Sequence, residues 1–574
     1  MKHFNKTIFP QTGSRYAVII FAPAVILVLF FVAPPADAQT ATFFVDSEFD
    51  SLGRSSLSVT KLAEGNNGMF YVENSYYNSL SSSQRANLTS VVQDISNVFD
   101  AQIYSSLVSI LGGPRLPDLS GNSKITILFH TMQQNVGGYF QSGDQFPRSQ
   151  VSDSNERNIL YLNLRQIEQY HTKEFLAHEF QHLISYNQKN ILRGAGEELW
   201  LNELMSEAAV FIAGLNEGAL SGTNLNDRIR TYLDSPNTSV TNWNGTNQDY
   251  ATARIFARYM LDQYGTSLFT NIMQTNLTGI AAVNHALTRL SSPRNFNDVF
   301  RDWTIANVLN NCAVSFTYCY THKHFTHDNF LITFGSGTSI GTSSTTSGTM
   351  QAYSARWIQY TRNISSTRPQ DHVLEMEFLF SNNIAPSVPY IVYEEEQLPR
   401  VFFAPIISVQ SRAYVENFGF TVGEVVVVPS NQINSTISFQ HSVELMDSVP
   451  EGAQSSKMQL PEGALVRESG RNEVYIIKNP STSSGQVYKR WVQSPQIIDM
   501  YGHLRWEDII VAPTGTLNEY ATSNVIRFAF DPRVYIVRSD NTKTWIMTEE
   551  EFLALGYKFD MVYEVNEREF NFYN

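Results

Sequence analysis

His178 and His182, four residues apart with Glu179 beside the first, are the residues of this chain whose types and spacing most directly imply chemistry. On a helix, positions i and i+4 stand one above the other, so both imidazoles can reach one small cation. Neutral imidazole suits zinc. Glu179 lies beside the same face, able to hold a water against the cation but poorly placed as a third ligand, which is the position of a general base. A catalytic zinc usually takes three protein ligands and leaves one place open. The third is expected at Glu203, 21 residues after His182. Residues 197–213 carry Leu199, Trp200, Leu204, Ala208, Phe211 and Ile212 at helical spacing and stop at Gly214. Glu203 and Glu207 then share one face, and buried carboxylates are costly unless paired or metal-bound. The expected arrangement has Glu203 on the metal and Glu207 accepting the spare ring N–H of a ligating histidine.

His178 to His182, with Asn202, Glu203, Ser206 and Glu207, resemble the gluzincin peptidases, the thermolysin-like group whose third ligand is a glutamate on the following helix. Within that group, residues 176–184 and 200–203 are most similar to the hyicolysin family of secreted bacterial neutral metallopeptidases, and the resemblance runs over residues 65–310. Other stretches share it: Gly137-Gly138-Tyr139-Phe140 with Asp144, Ser154-Asn155 ahead of Leu160-Tyr161-Leu162-Asn163, Asp249-Tyr250, and Asp302-Trp303 with Ala306-Asn307. That family often has a glycine where this chain has Leu204 or Met205, a departure that bears on helix packing and removes no ligand. The resemblance implies an α+β zincin-type domain, a Zn2+ cofactor, and protein or peptide substrates. It also implies an edge strand between Gly137 and Asn163 that binds the substrate backbone, and a Tyr or His that stabilises the oxyanion. Tyr250 is the first candidate for that role and Tyr259 the second, and either could equally be a core residue. The metzincin pattern requires Gly and a third His where this chain has Ser185 and Gln188, and is excluded on spacing.

The elements that must position these residues are legible in outline. Residues 83–104 have helical apolar spacing, residues 124–129 and 159–163 read as strands, and a helix over 250–264 ends at Gly265. Ahead of them Lys2, Lys6 and Arg15 precede the apolar run 17–33 and the small residues Ala36-Asp37-Ala38, the pattern of a signal peptide over residues 1–38. An uncleaved N-terminal membrane anchor is the alternative. Either way the remainder is expected outside the cytoplasm, with too little chain ahead of the metal motif for a large separate propeptide. In that setting Cys312 and Cys319, the only cysteines, could close a short disulfide loop or remain free. His322, His324 and His327 nearby read as a polar loop rather than a second metal cluster.

The chain has 574 residues, 43% of them hydrophobic and 16% charged, enough for several domains with sizeable cores. A net charge of -14 without a basic stripe argues against a nucleic-acid partner. The peptidase domain is expected over residues 39–334. Residues 335–348 are almost exclusively Gly, Ser and Thr and read as a linker. Alternating strands over 349–448 suggest a β-sandwich accessory domain. Residues 460–574 contain a repeat, in which Val474-Tyr475-Ile476-Ile477, Trp491 and Gly502 return as Val534-Tyr535-Ile536-Val537, Trp545 and Gly556. Each unit reads as a hairpin with Trp on its second strand, then a short helix, and suggests a cell-wall or cell-surface attachment module with its Tyr and Trp in the core. Two functions follow: an exported zinc endopeptidase, or a surface-binding protein with a catalytically silent peptidase-like domain.

Overall fold

Six strands build the sheet that carries the candidate site: β1 (Thr40–Phe44), β2 (Ser56–Glu64), β3 (Gly68–Glu73), β4 (Ile125–His130), β5 (Gly138–Phe140) and β6 (Ile159–Asn163). The computed structural model describes residues 40–574 apart from 222, 291, 293, 333, 335–337, 340–342, 382–386, 396, 453–459, 461–462, 469, 479–486, 513–515 and 530. The signal peptide expected over residues 1–38 lies outside the described residues. The strand order is β1-β2-β3-β4-β6-β5. β3, β4 and β6 are parallel neighbours, buried at every residue. Such strands are covered on both faces, which is why they read as continuous apolar runs rather than alternating ones. β5 pairs antiparallel with β6 and forms the edge.

The covering helices are α1 (Asn74–Ser79), α2 (Ser82–Val98), α3 (Ser105–Leu111), α4 (His171–Ser185), α5 (Leu199–Ile212), α6 (Asn224–Asp234), α7 (Asn247–Met273), α8 (Gly279–Arg289) and α9 (Phe296–Leu309). Their starts are written locally. Ser81 and Gln84 form a capping box on α2, and Thr246 and Asp249 form one on α7. Gly265, at φ +65° and ψ -173°, breaks α7, where the sequence ends a helix, but the chain resumes helical geometry beyond it. One apolar cluster joins β3, β4 and β6 to the helices. Cys312 and Cys319 form a disulfide in the loop after α9.

Residues 335–348 were expected to be a linker, yet Ser343–Met350 is a strand paired antiparallel with Ile437–Met446, from Ser343 opposite Glu444 to Met350 opposite Ile437. It is the outer strand of its sheet and its middle is exposed. An edge strand with little to bury can be written in Ser and Thr, so composition alone mistakes it for a linker. It belongs to one of two five-stranded sheets that share an apolar core. Further on, Tyr475–Lys478 pairs with Tyr488–Trp491 and Val534–Val537 with Lys543–Ile546. Short helices follow each hairpin, Pro495–Asp499 and Glu549–Ala554. Trp491 and Trp545, expected in the core, are 37% and 44% exposed. The two units share a core crossed by a buried Arg490–Glu569 ion pair. Among the described residues no helix is long and apolar enough to cross a membrane.

Candidate metal centre

Helix α4 follows β6 after a short turn over Leu164–Gln166 and packs against β6, β5 and α5, which brings its His178–His182 face to the sheet edge. Nε2 of His178 and Nε2 of His182 lie 3.2 Å apart. On α5, Glu203 Oε2 is 3.2 Å from His178 Nε2, and Oε1 is 3.6 Å from His182 Nε2. The three side chains therefore bring ligand atoms within 4.8 Å of one another. Tetrahedral zinc with ligand bonds of about 2.0–2.1 Å sets its donors roughly 3.3 Å apart, so the observed separations fit. Glu203 Oε2 is also buried without a well-formed hydrogen bond of its own, an acceptor suited to a cation.

The electrostatics point the same way. Burial alone would raise the Glu203 carboxyl, but the two imidazoles more than reverse it and hold it well below the usual carboxylate range. Burial opposes charge on His182, yet Glu203 and Glu179 beside it raise it to about 9. A field that holds a proton there favours any cation. Glu179 is buried, which pushes its carboxyl up against the opposing pull of His178 and His182. A raised carboxyl suits proton transfer better than a fully exposed one.

Gly138 on β5 explains how the edge strand comes so close to Glu179. A Cβ at that position would stand 2.7 Å from the Tyr161 carbonyl oxygen and 3.1 Å from Glu179 Cγ. Only glycine permits this approach. The turn after β5 is braced by buried Asp144, which accepts from the Asn155 N–H at 2.6 Å and the Tyr161 hydroxyl at 2.7 Å. Of the segment between Gly137 and Asn163, β5 is the strand with a free edge, since β6 is flanked on both sides. A cavity of about 330 Å3 opens beside the centre, lined by Phe140, Ser142, His182, Tyr186, Asn202 and Glu203. A larger one of about 560 Å3, lined by Arg294, Arg490 and Tyr563, touches none of the centre's residues.

Tyr250, at the start of α7, stands with its ring 6.1 Å from that of His178 and against Trp243. Burial and the carboxylates of Glu203 and Glu179 raise its phenol, so it stays protonated and able to donate. Tyr259 is elsewhere: fully buried, it donates to the Thr317 carbonyl at 2.8 Å. Glu207 Oε1 is 3.6 Å from His178 Nδ1, within ion-pair reach but too long for a hydrogen bond. Glu207 is held instead by Arg254, 2.5 Å away, a residue with no signal in the sequence reading. Nδ1 of His182 faces the Ser206 hydroxyl at 3.2 Å. The one other cluster of this kind among the described residues, Asp50, Glu73 and His130, is already bridged by Arg54 at 2.8 Å from both carboxylates, which occupies the cation's place. His322, His324 and His327 form no such group.

No protein-family model matches the chain. It is 27% identical over 233 residues to the neutral metalloprotease ShpI of Staphylococcus hyicus, a match covering 35% of this chain and 49% of the relative. The chain thus spans about half the length of the curated relative it matches. Among solved structures it aligns with the pre-peptidase C-terminal domain of a collagenase from Bacillus anthracis, at 11% identity, 19% of this chain, 95% of that chain and a TM-score of 0.15. It also aligns with a chain from Bacillus endospore appendages, at 13% identity, 20% of this chain, 100% of that chain and a TM-score of 0.10. Both scores are too low to establish a shared fold. In sequence, the chain is a distant relative of a neutral metalloprotease.

Proposed function

We propose that the chain is an exported zinc endopeptidase of the gluzincin type, with His178, His182 and Glu203 as the residues that hold the metal. The observation that carries this reading is the convergence of those three donors, from two helices, at the separations tetrahedral zinc requires. When bound there, zinc polarises a peptide carbonyl and lowers the pKa of water. Glu179 then serves as the general base: its carboxylate accepts the proton of the attacking water and returns it to the leaving amine. The edge of β5 offers backbone N–H and C=O groups that align an extended peptide as an added strand, with Gly138 letting that peptide lie close to Glu179. Tyr250 donates its hydroxyl toward the carbonyl oxygen as negative charge grows on it. Relationship to a neutral metalloprotease supports the reaction class.

The test measures bound zinc and casein cleavage in the full chain beside Glu179→Gln. One zinc in both proteins, with cleavage only in the unmodified chain and lost on chelation, is the expected result. Absence of zinc from both would remove the ligand assignment and favour a binding role. Equal cleavage by the variant would exclude Glu179 as the base.

A further inference from the structure

Three helices each bring to the centre a pair of polar residues four positions apart: Glu174 and His178 on α4, Glu203 and Glu207 on α5, Tyr250 and Arg254 on α7. Residues so spaced stack along a helix, so the centre has two layers. The first holds His178, Glu203 and Tyr250, with His182 one turn on. The second holds Glu174, Glu207 and Arg254, each 1% exposed.

The guanidinium of Arg254 ties this second layer together. Its Nη2 is 3.0 Å from Glu174 Oε2, its Nε is 2.5 Å from Glu207 Oε2, and its Nη1 donates to Asn216 Oδ1 at 3.2 Å. The Phe211 ring lies 5.3 Å beneath it. Arg228 on α6 reaches Glu207 Oε1 at 3.5 Å and covers the Tyr250 ring at 5.1 Å. Two buried carboxylates need a counter-charge, but a point charge would leave their separation free. A planar guanidinium fork narrows it: Nη2–H donates to Glu174 Oε2 along a set direction while the Nε side of the same rigid plane meets Glu207 Oε2 as an ion pair. Glu174 and Glu207 sit on the two helices that carry the metal donors, one turn from His178 and Glu203 respectively.

We propose that Arg254 is a positioning residue for the metal centre, locking α4 against α5 through Glu174 and Glu207 and thereby fixing the ring of His178. This rests on the zinc reading above. Arg254 acts on the donors indirectly, by holding α4 against α5 through Glu174 and Glu207, and Glu207 Oε1 stands within ion-pair reach of His178 Nδ1 at 3.6 Å. Partners of this kind typically control metal affinity by about 10- to 100-fold.

The experiment is zinc affinity, measured in the full chain by competition with a chromophoric chelator, alongside melting of the zinc-free protein. Arg254→Lys keeps the charge and loses the fork. It is expected to remain folded without zinc and to bind zinc about 10- to 100-fold more weakly. The charge-balanced pair Glu174→Gln with Arg254→Met is expected to give the same loss, and carries the test should the lysine variant fail to fold. A folded variant of either kind with wild-type zinc affinity overturns the proposal. So does failure of both to fold without zinc, which assigns the cluster to the core alone. A wild-type chain that binds no zinc sinks the zinc reading itself, and this inference with it.

Discussion

A phenol helps an acyl-transfer reaction only if it stays protonated and faces the place where charge develops. Tyr250 meets the first condition through burial beside Glu203 and Glu179, and the proposed function assigns it the second on the strength of its ring lying 6.1 Å from that of His178. Tyr250→Phe is therefore expected to lower kcat by about 100- to 1,000-fold, the typical worth of one oxyanion donor, with zinc content and melting temperature unchanged. A loss confined to KM would assign Tyr250 to substrate binding instead. The residues legible in the sequence are those whose chemistry is written at helical spacing within one segment: His178, Glu179 and His182, then Glu203 with Glu207. Arg254 was not legible, and Gly138 was marked only by the resemblance, without its physical reason. The need for a glycine at 138 arises from Tyr161 and Glu179, and the role of Arg254 from Glu174 and Glu207, all of them distant in the chain. Tyr259 takes the core alternative that the sequence left open, since nothing local distinguishes a tyrosine that lines a site from one that bonds to the Thr317 carbonyl in the core.

Among the elements, strands buried on both faces could be read directly, because β4 and β6 are mostly apolar runs, and the helix from residue 250 could be read from its apolar spacing. Edge elements could not, as Ser343–Met350 shows: its burial pattern is mostly exposed, and what makes it a strand is its partner, Ile437–Met446. That partner also places His441 inside the sandwich, 1% exposed. There Nδ1 faces the Glu377 carbonyl at 2.9 Å and Nε2 faces the Tyr360 hydroxyl. A carbonyl can only accept, so Nδ1 carries the proton and Nε2 accepts, which makes the neutral ring the fitted form. Burial accordingly lowers His441 to about 4. The unfolded chain then binds the extra proton first as pH falls from 6.5 toward 4, so stability is full above about pH 6.5 and declines across that window, by about 3 kcal/mol at most. Urea unfolding as a function of pH should show this decline and a flatter profile in His441→Gln. Identical profiles in the two proteins would remove His441 as the cause.

At the scale of the whole molecule, the division into a peptidase domain ending near residue 334 and a separate sandwich meets a packing argument. Ile305, Val308 and Leu309 of α9 are buried, at 0%, 4% and 2% exposure, in a cluster with Ile391, Val401, Val426 and Val428 of the sandwich. Ala352 and Tyr353 belong to the apolar core that β3, β4 and β6 share with the helices, and the Tyr353 carbonyl accepts from the Val240 N–H at 3.0 Å. The Trp357 indole donates to the Thr304 carbonyl at 2.9 Å. Exposing three such aliphatic side chains costs about 1.5–3 kcal/mol each, a sum comparable with the roughly 5–15 kcal/mol that holds an ordinary domain together. A fragment of residues 40–334 is thus expected to be insoluble or to melt far below the full chain, whereas residues 40–448 keep the interface and should bind zinc and cleave casein. The outcome that would sink this argument is a soluble 40–334 fragment with the melting temperature and zinc affinity of the longer one. The sandwich would then be an appendage, and the apolar contact with α9 would contribute nothing to holding α4, α5 and α7 in register around the centre.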